Sequence, residues 1–390
     1  MSFDSRRLTI AIAGFSTFIN LYAPQALLPT LAREFAVGAA EISSVMTASA
    51  LAVAITAPFT GAVADVLGRK RVITAAMLAL ILPTIMIALA PSLQALIFWR
   101  FVQGLLLPPI FVVAVAYIGD EWPVAQVAGV AGIYTTGASL GGFAGRFIPG
   151  ILDDLLGWRT AFLSIALITL LAAMVVALTL QRERSFVRSQ GIGASMRQML
   201  RHLRDPQLLA TYAIGFGVLF NFIATFTYLS FHLAAPPYGF SSALLGTVFF
   251  TYLAGAAATL MAGRAIGRFG RRRFMLGVIV VWAVGALLAL AHPVTFILAG
   301  LTLCAACGLL CQAVSTGYVT LTAREGRSSA VGLYVSTFYI GGSIGAFLPG
   351  LAWESAGWPA VIAMVIAMLA LMGLIVGLIW TPGASRVARN

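Results

Sequence analysis

Long runs of apolar residues separated by short polar segments dominate the pattern along this chain. No charged residue occurs within 72–98, 274–322 or 359–381. Each run reaches the roughly 20 residues that an α-helix needs to cross a bilayer. Division at charges and turns predicts twelve spans, numbered in order: 8–31, 41–64, 72–91, 94–117, 124–151, 158–180, 207–233, 241–263, 274–291, 294–322, 329–352 and 359–381. The pattern therefore predicts an all-α membrane protein with twelve transmembrane helices.

The second half of the chain repeats the first. The segments 131–158 and 331–358 align without gaps at an offset of 200, and ten of their 28 positions are identical. A second pair, 61–71 and 263–273, aligns at an offset of 202. We therefore expect two pseudo-symmetric six-helix bundles, residues 1–180 and 207–390, as in transporters that rock one half against the other.

A polar and basic linker, 181–206, joins the two bundles. Four apolar residues recur in it at helical spacing: Met196, Met199, Leu200 and Leu203. Arginines occupy the other faces of the same segment. The pattern is typical of a short helix lying on an anionic membrane surface, and a plain solvated linker is the alternative.

Composition places the chain in a membrane, and charge gives it an orientation. Hydrophobic residues make up 61% of the sequence and charged residues 9%, against about 25% charged in soluble proteins. The net charge is +12. Of the 24 basic residues, 20 lie on one side of the predicted spans: Arg6, Arg7, Arg69, Lys70, Arg71, Arg182, Arg184, Arg188, Arg197, Arg201, Arg204, Arg264, Arg268, Arg271, Arg272, Arg273, Arg324, Arg327, Arg386 and Arg389. By the positive-inside rule that side is cytoplasmic and holds both termini, so the basicity predicts orientation rather than nucleic-acid binding.

Several function classes lack the residues that they need. The three histidines are far apart in the sequence, which argues against a membrane enzyme, and no Walker loop for ATP occurs. Cys304, Cys307 and Cys311 share one helical face. A soft-metal site is one interpretation of them, and we prefer packing of small residues because no histidine or methionine cluster joins them. We expect no cofactor, no metal and no nucleic-acid partner.

The segment 61–71, between spans two and three, carries a motif. Gly61 permits close helix contact, Asp65 ends span two, and Gly68 turns the chain before three basic residues. The segment resembles the signature loop of the major facilitator superfamily, and the resemblance covers essentially the whole chain. It implies two six-helix bundles that expose a central cavity to each side of the membrane in turn.

The resemblance also implies a role for the charges of this loop. In the family, such residues form a charge latch that holds the inner gate, which assigns gating to Gly61, Asp65, Gly68 and Arg69, with Asp120 at the end of span four as partner. A positive-inside turn in which the aspartate caps its helix is the alternative. The second copy has Gly267 in place of Asp65, so any latch is asymmetric.

Two arginines lie inside predicted spans, Arg100 in span four and Arg146 in span five, each in the outer third. An arginine at the bilayer centre costs about 2.5–3.5 kcal/mol on insertion scales. Each guanidinium should therefore contact water, a carboxylate or a ligand. Snorkelling of the long side chain to the outer headgroups is the alternative.

Both arginines fall in segments with family counterparts. The segment 100–104 resembles the span-four motif, whose arginine is linked to proton coupling in the family. Span five is glycine-rich and resembles the motif of drug:proton antiporters, with Arg146 in place of the expected proline. This variant is similar to the branch that includes the YnfM- and AraJ-type permeases. The resemblance therefore implies substrate binding by both arginines and proton coupling by Arg100.

Polar residues on other spans are candidates for the transport path. Asn221, Thr225, Tyr228 and His232 share one face of span seven. In the family, spans one, four, seven and ten border the cavity. The resemblance therefore implies substrate binding by Asn20, Tyr22, Gln25, Asn221, Thr225, Tyr228 and Gln312. Each could instead form an interhelical hydrogen bond, and His232 is expected at the outer interface.

All twelve acids fall at span ends or in loops. Cation exporters of the family usually need a buried carboxylate, so this distribution favours a neutral or anionic solute. Asp153 follows Arg146 by seven residues on the same face and is the expected proton-sensitive partner.

These observations lead to one functional expectation. We expect a secondary active transporter working by alternating access, with proton-coupled efflux of drug-like compounds or metabolites as the first interpretation. Proton-coupled uptake or exchange of a small organic anion is the alternative. The resemblance places such a protein in a bacterial inner membrane as a monomer, with the substrate, protons and the lipid bilayer as its partners.

Overall fold

The computed structural model describes residues 5–183, 192–259, 261–323 and 325–381, and helices are the only regular elements in those ranges. In the first half they are α1 (Ser5–Tyr22), α2 (Leu28–Glu34), α3 (Ala39–Leu67), α4 (Arg69–Ala88), α5 (Leu93–Leu106), α6 (Pro108–Glu121), α7 (Val124–Leu156) and α8 (Trp158–Thr179). In the second half they are α9 (Ile192–His202), α10 (Pro206–Ala234), α11 (Ser242–Val248), α12 (Thr251–Thr259), α13 (Ala262–Phe269), α14 (Arg271–Leu288), α15 (Val294–Thr322) and α16 (Arg327–Leu378). The predicted all-α class is confirmed.

Eight segments of the described helices are long and apolar enough to cross a bilayer. One of them, Ser329–Leu378, has 50 residues, roughly 75 Å of helix, which is more than twice the thickness of a bilayer core of about 30 Å. Ala356 and Gly357 leave helical geometry inside it, so it contains both span eleven and span twelve. The eight segments therefore correspond to nine predicted spans.

The other three predicted spans lie in α1, α7 and α14. Helix α1 has only 18 residues because it stops at a break inside span one. Helix α7 is 33 residues long and rich in glycine, which lowers its hydropathy. Helix α14 begins with Arg271, Arg272 and Arg273, and these charges lower the hydropathy of an 18-residue helix. The break in α1 and the composition of α7 and α14 therefore explain why these three spans are shorter or less apolar than the other nine.

The described helices pack into two compact units. The first comprises Met1–Gly38, Ile42–Ile192 and Leu233–Thr247. The second comprises Ala39–Glu41, Gly193–His232 and Val248–Asn390. The segment Leu233–Thr247 joins the first unit, where Asp154 accepts hydrogen bonds from the backbone nitrogens of Ser242 and Ala243, both at 3.1 Å. The bundle borders at residues 180 and 207 stay predictions.

Glycines bring two helices into backbone contact in each unit. A Cβ atom at Gly141 would collide with the carbonyl of Phe15 in α1, and one at Gly341 would collide with the carbonyl of Phe216 in α10. Gly145 and Gly345 repeat this relation one turn later, against Ile19 and Phe220. The contact partners are offset by 201 residues and the glycines by 200. The sequence repeat is therefore also a repeat of small-residue helix packing.

The expectation for Gly61 is wrong in this structure. No heavy atom of the described residues lies within 4 Å of a Cβ built at Gly61, so this glycine makes no close helix contact with them. Gly68 does turn the chain, because its φ of +90° lies in the region that favours glycine.

Part of the linker forms a helix, α9. Its residue Met199 is buried, and Leu200 and Leu203 are exposed. His202 Nε2 lies 3.2 Å from the carbonyl of Gly326, so α9 packs on the second unit. Membrane binding by this helix stays a prediction. Both chain termini, the side chain of Met196, and the basic residues Arg184, Arg188, Arg324, Arg386 and Arg389 lie outside the described residues.

Replacing Gly141 by alanine should destabilise the first unit by about 1–3 kcal/mol, the usual cost of overpacking, because the new methyl group would collide with the backbone of α1. Gly132→Ala is the matched control in the same helix, since nothing lies within 4 Å of its Cβ position. Chemical unfolding in detergent micelles measures both variants. Equal stability of G141A and G132A would contradict the close contact.

Candidate functional site

Span one is broken in the middle of the first unit. Helix α1 ends at Tyr22, and α2 starts at Leu28. Pro24 has no N–H to donate to the carbonyl of Asn20. The backbone nitrogen of Gln25 donates to the carbonyl of Tyr22 at 3.0 Å and not to that of Leu21. The break therefore leaves the carbonyls of Asn20 and Leu21 without a helical partner.

Arg100 supplies donors to both carbonyls. Its Nη1 donates to the carbonyl of Asn20 at 3.0 Å, and its Nη2 donates to that of Leu21 at 2.8 Å. The remaining N–H groups donate to Ser49 Oγ at 2.7 Å, to the carbonyl of Val45 at 3.4 Å, and to Gln103 Oε1. All five N–H groups of this fully buried guanidinium are thus used. Its positive charge also lies at the carboxyl end of α1, where the helix dipole favours a cation.

Asn20 extends this cluster into a polar network. Its Nδ2 donates to Thr169 Oγ1 at 2.7 Å and to the carbonyl of Ser16 at 2.8 Å. Its Oδ1 accepts from Thr84 at 2.9 Å and from Gln103 at 3.1 Å. The side chain thus joins spans one, three, four and six. Asn20 makes the interhelical hydrogen bonds that the sequence left open as its alternative role.

Arg146 contacts the same break from α7. Its Nε donates to Gln25 Oε1 at 2.7 Å, and its Nη1 donates to the carbonyl of Gly142 at 2.6 Å. The guanidinium carbon lies 3.8 Å from the ring centroid of Tyr22, a cation–π contact. Arg146 is fully buried, as is Gln25, and Tyr22 is half-buried. Neither buried arginine snorkels to a headgroup in this structure.

The expected pair of Arg146 with Asp153 is wrong. Within the described part of the chain, no ion pair joins the two residues; Asp153 Oδ2 accepts a hydrogen bond from Ser242 Oγ at 2.6 Å. Seven residues of helix span about 10.5 Å along the axis. The carboxylate of Asp153 therefore lies farther along α7 than the guanidinium of Arg146, and Ser242 at the start of α11 is nearer to it.

The second unit contains the other candidate residues of span seven. Asn221 Nδ2 lies 3.5 Å from the sulfur of Met372. Asn221 Oδ1 and Thr225 Oγ1 are buried and form no hydrogen bond with the described residues. Tyr228 donates to the carbonyl of Ala346 at 2.5 Å. His232 stacks on Trp358 with ring centroids 5.4 Å apart.

The repeat explains why Asn221 has fewer partners than Asn20. The two asparagines are offset by 201 residues, and the Gly-Leu-Leu segments 104–106 and 308–310 are offset by 204. At that second offset, Cys304 and Cys307 occupy the positions of Arg100 and Gln103. The second unit has thiols where the first has strong donors. Gln312, in α15, is half-buried.

The structure brings together the charges of the loop between spans two and three. Arg69 lies 3.7 Å from Asp65 and forms a second ion pair with Asp120. Sequence reasoning missed a third acid, Glu183, whose carboxylate accepts from the backbone nitrogens of Arg69 at 3.0 Å and Lys70 at 3.3 Å. Its signal in the sequence was weak, because it is one acid at the start of a basic linker. The carboxylate caps the N-terminus of α4.

The sequence of this chain is similar to those of known proteins. A sequence model described as Major Facilitator Superfamily matches residues 10–251 and 234–390. The chain belongs to the major facilitator superfamily. The inner membrane transport protein YnfM of Escherichia coli K12 is 31% identical over 377 residues, which cover 95% of this chain and 89% of YnfM.

Two further members of the superfamily, one compared by sequence and one by structure, are also similar to this chain. The uncharacterised MFS-type transporter YybF of Bacillus subtilis is 29% identical over 367 residues, covering 93% of this chain and 91% of YybF. A mutant of the nucleoside transporter NupG has the same fold, with a TM-score of 0.77 at 14% identity over 96% of this chain and 100% of NupG. This chain is a multi-pass membrane transporter of the superfamily and not an enzyme.

Replacing Arg100 by lysine should destabilise the first unit although it keeps the charge. Lysine has three donors and no planar fork, so at least two acceptors lose a hydrogen bond to a charged group. We expect a loss of about 3 kcal/mol, at 1.5–3 kcal/mol for each such bond. Unfolding in detergent micelles measures it, with Arg159→Lys, at the exposed pair with Glu34, as control. Wild-type stability of R100K would show that the carbonyls of the break do not depend on Arg100.

Proposed function

We propose that this superfamily member is a secondary active transporter that moves a small neutral or anionic organic solute by alternating access. The contact of Arg146 with Gln25 and Tyr22 at the break in span one carries this proposal. It brings together a buried cation from span five with an amide and an aromatic face from span one. A carboxylate that accepted from Arg146 would gain a charge-assisted hydrogen bond in place of the neutral one to Gln25.

The distribution of charge supports the choice of cargo. None of the acids in the described residues is buried, whereas Arg100 and Arg146 are both fully buried. A cationic cargo would meet positive charge and no buried counter-ion in this unit. A neutral or anionic cargo avoids that repulsion.

We assign Arg100 a positioning role in place of the cargo and proton roles suggested by resemblance. All five of its N–H groups already donate to protein acceptors. Cargo binding at Arg100 would leave a buried carbonyl unsatisfied, at about 1–3 kcal/mol. In the second unit, Asn221, Thr225, Tyr228 and Gln312 stay candidates for hydrogen bonds to cargo.

Proton-coupled efflux, as an antiporter for drug-like compounds or metabolites, is the direction that we propose first, because span five resembles the motif of drug:proton antiporters. Proton-coupled uptake or exchange of an organic anion is the second candidate, and burial of Arg146 favours it. In both cases the protein lies in a bacterial inner membrane with both termini in the cytoplasm, since 20 of 24 basic residues lie on the predicted inner side.

Flux into liposomes tests the proposal. Purified protein is screened with anionic, neutral and cationic organic solutes, with and without a pH gradient. Saturable flux of an anionic or neutral solute that responds to the gradient is expected. Linear conductance would indicate a channel, and saturable flux of cations alone would exclude the proposed cargo class.

Replacing Arg146 by alanine should reduce flux of the transported solute at least about tenfold, because one charge-assisted hydrogen bond of about 1.5–3 kcal/mol is lost. Gln25→Glu removes no contact but places a carboxylate beside the guanidinium, so it should impair an anionic solute far more than a neutral one. Arg159→Ala, at an exposed ion pair, is the control. Wild-type flux of a well-expressed R146A would make Arg146 merely structural.

Replacing Asp65 by asparagine should lower turnover and leave the half-saturating solute concentration unchanged. The substitution removes one of the two ion pairs of Arg69 and therefore alters the inner gate rather than the cargo site. Flux against solute concentration in liposomes separates the two parameters. Glu34→Gln, which breaks the exposed pair with Arg159, serves as control, and unchanged turnover of D65N would remove the gating role of the latch.

A further inference from the structure

Two helices of the repeat begin with the same basic turn. The first basic turn, residues 68–71, starts α4, and the second basic turn, residues 270–273, starts α14. Each contains a glycine of positive φ, +90° at Gly68 and +78° at Gly270. Three basic residues follow each glycine. The two turns therefore present the same backbone and nearly the same charge.

The first basic turn holds an anion from its own chain. Glu183 accepts from the first two backbone N–H groups of α4, where unpaired N–H groups and the helix dipole attract negative charge. A Cβ at Gly68 would collide with that carboxylate. Asp65 and Asp120 add two further negative charges around Arg69. Three acids thus match three basic residues.

The second basic turn has no such acids among the described residues. At an offset of 202, Gly267 stands for Asp65, and at the offset of 204 that relates spans four and ten, Arg324 stands for Asp120. No heavy atom of the described residues lies within 4 Å of a Cβ built at Gly270. The described ion pairs include none of the arginines of α13 and α14: Arg264, Arg268, Arg271, Arg272 and Arg273. Among the described residues, nothing in the second unit takes the place that Glu183 occupies in the first.

The contacts of Arg271 and Arg272 are with neutral groups. The guanidinium carbon of Arg271 lies 5.6 Å from the ring centroid of Tyr318. Arg272 donates a hydrogen bond to the carbonyl of Gly377. The Nε of Arg271 is buried and has no hydrogen-bond partner among the described residues. Burial lowers the pKa of Arg271 from its usual value, which is expected of a guanidinium that lacks a counter-ion.

The location of the turn identifies the kind of anion. Predicted span nine begins at residue 274, directly after the turn, so we expect the turn at the level of the lipid headgroups. The large apolar side chain directly before it, Phe269, is 53% exposed. Exposed apolar residues beside arginines are typical of a surface that contacts lipid.

We propose that the second basic turn binds the phosphodiester of an anionic lipid, with the N-terminus of α14 and Arg271 and Arg273 as its donors. The lipid phosphate takes the place that Glu183 occupies in the first unit. This site is separate from the cargo site and does not depend on the proposed cargo. It would anchor the start of span nine to the leaflet that is predicted to be the inner one.

Lipid titration tests the site. The purified full chain in neutral detergent is titrated with phosphatidylglycerol or phosphatidylcholine, and the apparent melting temperature and the mass of the lipid-bound protein are recorded. Phosphatidylglycerol should raise the melting temperature, and phosphatidylcholine should not. In R271Q/R273Q the half-saturating concentration of phosphatidylglycerol should rise about thirtyfold, which is about 2 kcal/mol at 1.4 kcal/mol per factor of ten.

A matched double variant controls for general charge. K70Q/R71Q removes the same charge from the first basic turn, and it should change the half-saturating concentration less than about twofold because Glu183 already occupies that turn. Equal losses in the two double variants would reduce the effect to non-specific attraction and overturn the proposal. If inorganic phosphate stabilised the wild type as much as phosphatidylglycerol does, the ligand would be a soluble anion and not a lipid. That result would also overturn the proposal.

A third variant adds an acid and removes no donor. Gly267→Asp restores the aspartate of the first copy at an exposed position with nothing within 4 Å of its Cβ. It should weaken phosphatidylglycerol binding and leave the melting temperature without lipid unchanged or higher. Wild-type lipid affinity in this variant would contradict the equivalence of the two turns.

Discussion

The first unit depends on the hydrogen bonds from Arg100 to the carbonyls of Asn20 and Leu21. A broken helix inside a membrane is tolerated only where its freed carbonyls find donors, since no water of the bilayer core can serve them. Five N–H groups in a rigid fork meet that need better than any other side chain could. Because the break is held open in this way, Tyr22 and Gln25 lie where Arg146 can contact them. The arginine of span four therefore shapes the place where the arginine of span five acts.

The two halves share the helix packing at their glycines but differ in their buried polar residues. Gly141 and Gly341 make the same helix contact, yet α10 runs unbroken through the position that matches the break in α1. At an offset of 201, Thr225 stands for Pro24, and a threonine keeps its backbone N–H for the helix. With no freed carbonyls, the second unit has no need of a second Arg100, and Cys304 lies at that position. Small-residue packing is thus shared between the units, whereas the buried cations belong to the first.

The sequence predicted the features that depend on the pattern of residues along the chain. Hydropathy gave the spans, the offset of 200 gave the repeat, and the loop motif gave the pairing of Arg69 with Asp65. It could not predict contacts that only tertiary packing decides. The two carbonyls of the break lie 80 and 79 residues from Arg100 in the chain, and nothing in the local pattern distinguishes a cation that binds cargo from one that serves carbonyls. Asp153 was misassigned for the same reason, because helical periodicity ignored the neighbouring helix that supplies Ser242.

The proposed selectivity for charge follows from the difference between the two buried arginines. Arg100 cannot give up an acceptor without leaving a carbonyl unsatisfied in a dry core. Arg146 contacts the side-chain amide of Gln25 and the face of Tyr22, and both residues lie at or beside the break, where no helical backbone hydrogen bond depends on these side chains. An anion that takes the place of the amide oxygen therefore gains a charge-assisted bond, and no backbone carbonyl loses its donor. The same exchange would loosen Gln25 from span five and alter the break itself, so the proposed binding at Arg146 would be coupled to the conformation of span one.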